Sequence, residues 1–453
     1  MLLKELLREA GLPPAGINAV ITGITDDSRR VKAGNLFVAV RGLKCDGHTY
    51  IDEAIRRGAV FVISERPLSG VPHLVVQNAR DALSYLFDAW YGHPAREMSL
   101  IGVTGTNGKT SVSAMLFAIL RHAGYSCGLI GTVECRCNDE VLSAAPADGL
   151  ANMTTPDPAA LYFLLAEMRR RGARFVVMEV TSHALALGRV APLRFRRAVF
   201  TNLTPDHLDL HGDMESYFLE KKKLFGMAES AVISCSTDYG TRLCEGLEIP
   251  FYLVSKETLS NVQKKGSDGV SFRLACDNLP ATDIFLPVPG DFSIENGALA
   301  TATALSLGVS PDAVRTALCA FDGVRGRIER VGKNPFGISV FLDYAHTPDA
   351  LEKLLLTVRG FRLEGQRIFL LFGCGGDRDR TKRAAMGRVA SRLADFLILT
   401  SDNCRTERAE DILRDILKGV DKEKPHIVIP DRRTAIAYAI SEAKQGDIVL
   451  LAV

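Results

Sequence analysis

The sequence lacks the features that mark several classes of protein. No apolar run among its 453 residues is long enough to span a bilayer, so we expect no transmembrane helix. Charge of neither sign is in excess, since 55 basic residues balance 53 acidic ones, and we expect no nucleic-acid partner. The ten cysteines lack the spacing of a disulfide framework or a zinc site. They indicate reduced thiols and a cytoplasmic location.

A glycine-rich loop between a strand pattern and a helix pattern is the most informative motif. The loop lies in IGVTGTNGKT, residues 101–110, after an apolar run at residues 98–103. The apolar residues that follow it have the spacing of a core-facing helix, at Val112, Met115, Leu116, Ile119 and Leu120. Such loops close backbone N–H groups around phosphate. Lys109 can then reach the outer phosphates and Thr110 can hold magnesium. A glycine turn without a ligand is the alternative, and the complete strand-loop-helix context favours the nucleotide.

Polar turns follow several other apolar strands, a pattern typical of an open, largely parallel sheet. Residues 175–178 run directly into Glu179, which we interpret as a magnesium ligand because Mg²⁺ prefers oxygen donors. A lone glutamate at a strand end is more often a solvated charge. Asp206, His207, Asp209 and His211 have the composition of a metal cluster, such as a zinc site, but a turn of this type often serves only as a helix cap, and chemistry alone favours the cap. The lysines at 221–223 follow a helix pattern at 214–225 and on their own indicate an exposed basic face.

The first ninety or so residues and the last section each read as an α/β domain. Strand patterns lie at residues 36–40 and 59–63 near the N-terminus, and at 339–342, 368–372, 396–399 and 448–451 near the C-terminus. Polar turns follow three C-terminal strands, at residues 343–348, 373–378 and 401–405. We expect these turns at one rim of a parallel sheet, where their arginines suit a carboxylate-bearing ligand. Plain surface loops are the alternative.

Seven motifs in a fixed order resemble those of the Mur ligase family. They are GVTGTNGKTS, MEVTSHAL, FTNLTPDHLDLHG, GVRGRIERV, DYAHTPDALE, FGCGGDRDRTKR and DNCRTE. The resemblance implies an α/β fold of three domains: a small UDP-substrate domain at residues 1–94, a central ATP-binding domain with a mostly parallel sheet at 95–326, and a Rossmann-like amino-acid-binding domain, shortened at its end, at 327–453. It implies a monomer that is an ATP-dependent ligase, adding meso-diaminopimelate to UDP-N-acetylmuramoyl-L-alanyl-D-glutamate through an acyl phosphate in peptidoglycan synthesis.

The resemblance also implies roles for individual residues. Catalytic roles fall to Lys109, Glu179, His207 and Lys221. ATP contacts fall to Gly105, Thr106, Asn107, Gly108, Lys109, Thr110, Ser111, Asn296, Arg327 and Asp343. The magnesium ligands would be Thr110, Glu179, His207 and a carbamylated Lys221. The UDP-substrate contacts would be Ser28, His48, Thr154, Thr155, Ser182 and Arg189, and the amino-acid contacts Arg378, Asp402, Asn403 and Arg405.

Three departures from the family pattern affect the expected acceptor. Cys404 replaces a proline in the family's Asp-Asn-Pro-Arg motif, and Ser293 stands where asparagine is usual. After Ala452 the family continues with Gly-Lys-Gly-His-Glu, whereas this sequence stops at Val453. Two alternatives to the diaminopimelate ligase therefore stay open. One is the same chemistry with lysine, another amino acid or a folate-type substrate, and the other is a protein that binds UDP-muramoyl-peptide without ligating.

Overall fold

The computed structural model describes residues 1–42, 45–143, 153–206, 208–331 and 336–452, apart from the side chain of Asp209. The chain folds into two compact units. The first comprises Met1–Lys256 with Leu299–Ser310, and the second comprises Glu257–Ala298 with Pro311–Val453. Within the described residues, no helix is both long and apolar enough to cross a bilayer.

The N-terminal part of the first unit is a parallel sheet with helices packed against it. Its elements are α1 (Leu3–Glu9), β1 (Gly23–Thr25), β2 (Asn35–Val38), α2 (Ile51–Arg56), β3 (Ala59–Ser64), β4 (His73–Val75) and α3 (Ala79–Trp90). The strands lie in the order β1-β2-β3-β4. The strand predicted at 36–40 ends at Val38, because Gly47 N–H donates to the Val40 carbonyl and turns the chain there.

The central part of the first unit is built on a second sheet. Its elements are β5 (Ser99–Thr104), α4 (Lys109–His122), β6 (Cys127–Ile130), β7 (Cys135–Cys137), β8 (Glu140–Val141), α5 (Pro158–Arg170), β9 (Phe175–Glu179), α6 (Ser182–Ala186), β10 (Arg197–Phe200), α7 (Leu208–His211), α8 (Met214–Lys222), β11 (Ala231–Ser234), α9 (Asp238–Glu245) and β12 (Phe251–Val254). The strand order is β12-β11-β10-β5-β9-β6-β7-β8. All neighbours run parallel except at β7 and β8.

Apolar periodicity explains the helix that follows β5. The residues predicted to face the core, from Val112 to Leu120, are buried in α4 as their spacing requires. One hydrophobic cluster joins both parts of this unit, with Leu86 and Phe87 of α3 in the same core as Leu161 and Tyr162 of α5. This shared core gives the two sheets of the unit a continuous interior.

The second unit contains a small antiparallel sheet and a larger, mostly parallel one. Its elements are β13 (Leu259–Lys264), β14 (Val270–Leu274), β15 (Thr282–Leu286), α10 (Asp291–Ser306, whose last residues belong to the first unit), α11 (Pro311–Cys319), β16 (Glu329–Arg330), β17 (Ser339–Asp343), α12 (Pro348–Phe361), β18 (Ile368–Phe372), α13 (Thr381–Leu393), β19 (Phe396–Leu399), α14 (Ala409–Leu417), β20 (His426–Val428), α15 (Arg432–Glu442) and β21 (Ile448–Ala452). The sheets have the orders β13-β14-β15 and β16-β17-β21-β18-β19-β20.

The larger sheet of the second unit is covered on both faces. Along β18, Ile368 and Leu370 join a cluster with α12, α13 and α14, whereas Phe369 and Leu371 pack with Ala435 of α15. Successive strand residues point to opposite faces, so a strand buried on both sides must be apolar throughout. The run Ile-Phe-Leu-Leu-Phe at residues 368–372 meets that requirement.

Candidate active site

Neighbouring parallel strands bring the central polar turns together. In the sheet β10 lies beside β5, β5 beside β9, and β9 beside β6. Their carboxyl ends lead into Thr201, the glycine loop, Glu179 and Thr132 respectively. The carboxyl ends of parallel strands meet at one edge of the sheet, so these side chains lie along the same edge. Ligands of open α/β sheets bind at this edge.

The phosphate loop, residues 105–111, has its shape fixed by the end of β10. Thr106 N–H donates to the Asn202 carbonyl at 2.9 Å, and Asn107 N–H donates to Asn202 Oδ1 at 3.0 Å. Gly105 has a φ of +147°, and a Cβ there would collide with the Thr201 hydroxyl. Gly108 caps α4 with a φ of +82°. A side chain at either position would be strained, which explains both glycines.

Two lysines reach the same stretch of the phosphate loop. Lys109 Nζ donates to the carbonyls of Gly105 and Thr106, each at 2.9 Å, and Lys221 Nζ donates to the Gly105 carbonyl at 2.9 Å. The Lys221 side chain is buried, with 2% of its residue surface exposed. Burial, with the charge of Lys109 as a further cause, holds the pKa of Lys221 well below its usual value. Lys221 is thus an amine that burial biases towards its neutral form.

Glu179 is the centre of a hydrogen-bond network at the strand ends. It is 1% exposed, and its carboxylate accepts from the Thr110 hydroxyl at 3.0 Å. It also accepts from the backbone N–H and the hydroxyl of Thr132, at 2.8 and 3.1 Å. A carboxylate beside a hydroxyl at the start of α4 is an all-oxygen donor set, which suits Mg²⁺ with the remaining positions left to phosphate and water. The residues present therefore fit a magnesium ion.

The predicted contacts to the muramoyl-peptide adjoin this network. Thr155 donates its hydroxyl to the Glu179 carbonyl at 2.9 Å, and the Thr154 and Thr132 hydroxyls are 2.9 Å apart. Arg189 Nη1 donates to the Thr155 carbonyl at 2.7 Å. The structure thus brings Thr154, Thr155 and Arg189 to the predicted magnesium ligand Glu179.

Ser182 lies at the start of α6 and contacts His211, a residue to which the sequence assigned no role at the substrate site. Its Oγ is 2.9 Å from His211 Nε2. The sequence also indicated no role for Thr132, although it carries a signal similar to that of Glu179, a polar residue at the end of an apolar strand, one glycine beyond Ile130. The predicted ligand His207 lies outside the described residues.

Ser28 and His48, predicted to contact the UDP part of the substrate, are buried within the N-terminal sheet layer. Ser28 donates its hydroxyl to Glu53 at 2.9 Å. His48 Nε2 accepts from Glu65 N–H at 3.1 Å, so its Nδ1–H donates to Asp46 at 2.7 Å. In the structure these side chains tie their turns to α2 and to the end of β3.

A cavity of about 310 Å³ is lined by the N-terminal part of the first unit and by one residue of α6. Its lining residues are Arg41, Gly42, Glu65, Asn78, Arg80 and Ala186. The Glu65 carboxylate accepts from Ala79 N–H at 2.9 Å, where α3 begins. The start of α3 is therefore already capped, by Glu65 and by the Asn78 side chain, and the two arginines in the wall outnumber the one carboxylate.

The remaining predicted ATP contacts belong to the second unit, whereas the phosphate loop belongs to the first. Asn296 is buried on α10. Asp343, at the end of β17, accepts from Ile328 N–H at 2.9 Å, and burial raises the pKa of its carboxyl. Arg327 is exposed in the turn that leads into Ile328.

The predicted amino-acid contacts gather after two adjacent parallel strands, β18 and β19. Arg405 Nη1 donates to the Gly376 carbonyl at 2.7 Å, which ties the turn after β19 to the loop after β18. The Gly376 N–H donates in turn to the Asn403 carbonyl at 2.9 Å. Arg378 and Asn403 are exposed and Asp402 is half-buried. The structure places all four predicted contacts on this rim.

Family models match the chain along most of its length. The model of the Mur ligase middle domain matches residues 103–304, that of the Mur ligase glutamate ligase domain matches 326–452, and that of the Mur ligase family catalytic domain matches 20–91.

The chain belongs to the Mur ligase family.

Curated relatives agree with this assignment. The chain is 41% identical over 447 residues to the UDP-N-acetylmuramoyl-L-alanyl-D-glutamate–2,6-diaminopimelate ligase of Clostridioides difficile (strain 630), a match that covers 96% of the chain and 90% of the relative. It is 41% identical over 470 residues to the ligase of the same name from Solibacter usitatus, with 100% and 93% covered.

Solved structures show the same fold. A structure of a UDP-N-acetylmuramoyl-L-alanyl-D-glutamate–2,6-diaminopimelate ligase aligns with a TM-score of 0.73 at 29% identity, covering 95% of this chain and 89% of that one. A folylpolyglutamate synthase from Thermotoga maritima shares the fold at 20% identity, with a TM-score of 0.62 and coverage of 82% and 90%. The predicted family, α/β fold class and enzyme class are confirmed, and the protein is an ATP-dependent ligase.

Proposed function

We propose that this ligase joins meso-diaminopimelate to UDP-N-acetylmuramoyl-L-alanyl-D-glutamate, with ATP as the energy source, in peptidoglycan synthesis. The observation that carries the proposal is the Glu179 network, which connects the phosphate loop at Thr110 to the predicted substrate residues Thr154 and Thr155. Two relatives that bear the name of this activity, and whose length the match covers to 90% and 93%, support the same substrates. The domains at 1–94, 95–326 and 327–453 remain part of the proposal, and the ranges of the family models support them.

The proposed reaction has two steps. The γ-phosphoryl group of ATP passes to the D-glutamyl side-chain carboxylate, giving an acyl phosphate and ADP. The amine of diaminopimelate then attacks the acyl carbon, an amide forms, phosphate leaves, and the amine loses a proton. Catalysis of this kind depends on positioning and charge stabilisation, so no side-chain nucleophile is required.

The chain's own residues do this work from the phosphate loop. Loop N–H groups and the start of α4 hold the phosphates, and Lys109 offsets negative charge on the transferring group. Magnesium, held by Thr110 and Glu179 and, by family resemblance, by His207 and carbamylated Lys221, would supply further charge neutralisation. Thr132 keeps the Glu179 carboxylate oriented through its two hydrogen bonds.

We assign the anionic middle of the UDP-substrate to the cavity lined by Arg41 and Arg80. Ala186 in the cavity wall is on α6, the helix that begins at Ser182, and Arg189 follows that helix. With its diphosphate in this cavity, the substrate would extend from the N-terminal turns, which would hold its uridine, to the predicted muramoyl-peptide contacts near α6. The two arginines outnumber the Glu65 carboxylate in this wall, and guanidinium groups bind diphosphate oxygens with directed hydrogen bonds.

Diaminopimelate differs from lysine by a second carboxylate, which the acceptor site must recognise. Arg405 and Arg378 on the C-terminal rim would bind a carboxylate, with Asn403 as a further polar contact. An arginine that pairs with this carboxylate loses that charge-assisted contact when lysine binds, so the contact favours diaminopimelate. The rim residues support diaminopimelate over lysine.

Phosphate release with a panel of acceptors tests the proposal. Purified protein, ATP, Mg²⁺ and UDP-N-acetylmuramoyl-L-alanyl-D-glutamate are combined with meso-diaminopimelate, with L-lysine, or with no acceptor. We expect turnover with diaminopimelate at least tenfold above the other two. Higher turnover with lysine would contradict the acceptor assignment. No turnover with either amino acid would contradict the ligase activity and favour a protein that only binds the UDP-muramoyl-peptide.

Arg405→Ala refines the acceptor test. We expect the KM for diaminopimelate to rise about tenfold or more, because a charge-assisted bidentate contact contributes roughly 1.5–3 kcal/mol. The KM for ATP should change little. The matched control is Arg433→Ala, an exposed arginine on α15. An unchanged KM for diaminopimelate would remove Arg405 from the acceptor site.

A further inference from the structure

His211 lies between Ser182, a predicted contact of the UDP-substrate, and Tyr217, which contacts the phosphate loop. It ends α7, and its Nε2 is 2.9 Å from Ser182 Oγ at the start of α6. On its other side the imidazole stacks on the ring of Tyr217, with 5.0 Å between centroids and an angle of 27° between planes. The His183 ring packs edge-on against it, with centroids 5.8 Å apart. Three elements therefore fix the position of this imidazole.

Tyr217 extends the contact to the phosphate loop. It is 1% exposed on α8, and its hydroxyl lies 3.3 Å from the hydroxyl of Thr106. Lys221 Nζ, which also donates to the loop carbonyl of Gly105, lies 4.6 Å from the Tyr217 ring centroid. Burial raises the pKa of the Tyr217 phenol, so it keeps its proton and can hydrogen bond as a neutral group.

We propose that His211 and Tyr217 act as a positioning pair that couples binding of the UDP-muramoyl-peptide at Ser182 to the phosphate loop at Thr106. The inference rests on the proposed function, which places the substrate at Ser182. Neither residue touches the reacting atoms. His211 holds the Ser182 hydroxyl, on a residue that is 1% exposed, in one rotamer and uses one of its hydrogen-bonding directions.

The benefit of such a pair is preorganisation. A serine hydroxyl rotates freely unless a partner fixes it, and fixing it before the substrate arrives removes an entropy cost from binding. The stack on Tyr217 in turn keeps the imidazole in place, and the phenol hydroxyl transmits any shift of Thr106 to the same ring. A ligand that moves the phosphate loop therefore changes the geometry at Ser182.

Two variants separate the hydrogen bond from the stacking. His211→Phe retains an aromatic ring for Tyr217 but removes the nitrogen that contacts Ser182. His211→Gln restores a polar group near Ser182 but removes the ring. Tyr217→Phe keeps the stack and removes only the hydroxyl that reaches Thr106. His122→Phe, at the exposed end of α4, is the matched control for exchanging histidine for phenylalanine.

The test is calorimetric binding of UDP-N-acetylmuramoyl-L-alanyl-D-glutamate to the full chain, with and without the ATP analogue AMPPCP and Mg²⁺. We expect His211→Phe to weaken binding about fivefold, the amount typical of one lost hydrogen bond, with an unchanged Tm. His211→Gln should recover part of the loss. In Ser182→Ala, the further change His211→Phe should cost nothing more, since the bond is already gone. Tyr217→Phe should reduce the effect of AMPPCP on substrate affinity.

Three results would overturn the inference. They are His211→Phe binding the substrate as tightly as wild type, additive losses in the Ser182→Ala background, or a Tyr217→Phe variant with wild-type coupling to AMPPCP. Failure of the proposed function has a different signature, because wild type would then bind the UDP-substrate without releasing phosphate for any acceptor. The binding comparison among the variants still decides the positioning role in that case.

Discussion

Burial separates one lysine of a basic run from the others. Lys221 is buried, Lys222 is half-buried and Lys223 is exposed with an ion pair to Glu220. The residue pattern alone indicates a shared basic face. The family resemblance singles out Lys221, and the register of α8 against the phosphate loop supplies the physical reason. A buried amine beside the charge of Lys109 is forced towards neutrality, and the neutral amine is the nucleophilic form of lysine.

Carbamylation of Lys221 is the residue-scale prediction. The neutral Nζ attacks carbon dioxide, an N–C bond forms, and a proton leaves, which yields a carboxylate-like oxygen donor. We expect native mass spectrometry in bicarbonate at pH 8 to find one added CO₂ that is absent from Lys221→Ala, and activity of that variant to fall at least a hundredfold.

Lys222→Ala serves as the control for the carbamylation experiment, because its amine lies next in sequence but is less buried. It should keep both the added mass and the activity. The same added mass on Lys221→Ala would assign the modification to a different amine and leave Lys221 as a plain cation near the loop.

Helices and strands could be predicted from the sequence where a single short pattern of apolar residues determines them. The spacing of Val112 and Leu116 predicts α4, and the continuous apolar run at 368–372 predicts β18. Contacts that depend on which strands are neighbours could not be predicted, because the sequence does not give the strand order. The link from Thr132 to Glu179 requires β6 beside β9, and the bond from Ser182 to His211 requires the start of α6 beside the end of α7.

A buried arginine between two helices is another element-scale feature that the sequence did not show. Arg383 of α13 is 0% exposed, and it pairs with Glu407 at 2.8 Å and with Asp415 of α14 at 3.1 Å. In the sequence it is one of several arginines in a basic segment. Its hydrogen bonds lower the pKa of Glu407 to about 2.

This ion pair predicts an acid-sensitive stability in the second unit. The folded pKa of Glu407 is below its ordinary value of 4.5, so the stabilisation is complete above about pH 4.5 and is lost as the pH falls towards 2. We expect Glu407→Gln to lower the urea midpoint at pH 7, and the gap from wild type to narrow as the pH falls from 5 to 3. Glu423→Gln, in an exposed loop, should show no such gap. A gap that stays constant with pH would contradict the role of this charge.

At the scale of the whole molecule, the family's motifs are far apart in sequence, yet their order along the chain is enough to predict the family. Each motif is short and individually weak, so the family prediction depended on the complete series. The structure adds which of them converge: the phosphate loop, Glu179 and the threonines at 154–155 meet in the first unit, whereas Asn296, Arg327 and Asp343 belong to the second.

ATP and the UDP-substrate should therefore each stabilise the folded chain through a different set of contacts. Lys109 Nζ bonds to loop carbonyls, while the hydrogen bonds of Thr155 and Arg189 go to other groups. We expect Lys109→Ala to abolish phosphate release and the thermal stabilisation by ATP and Mg²⁺. The UDP-substrate should still stabilise the variant as it does wild type, by about 2.7 kcal/mol at a hundredfold excess over Kd.

Differential scanning calorimetry with each ligand alone measures both effects in one series. Lys223→Ala, which removes an exposed charge directly after α8, should respond to ATP and to the UDP-substrate as wild type does. Loss of both stabilisations in Lys109→Ala would mean that Lys109 also shapes the UDP-substrate site. Retention of the ATP effect would mean that the loop N–H groups and the start of α4 hold the triphosphate without the lysine, whose contribution would then be confined to the transferring phosphoryl group.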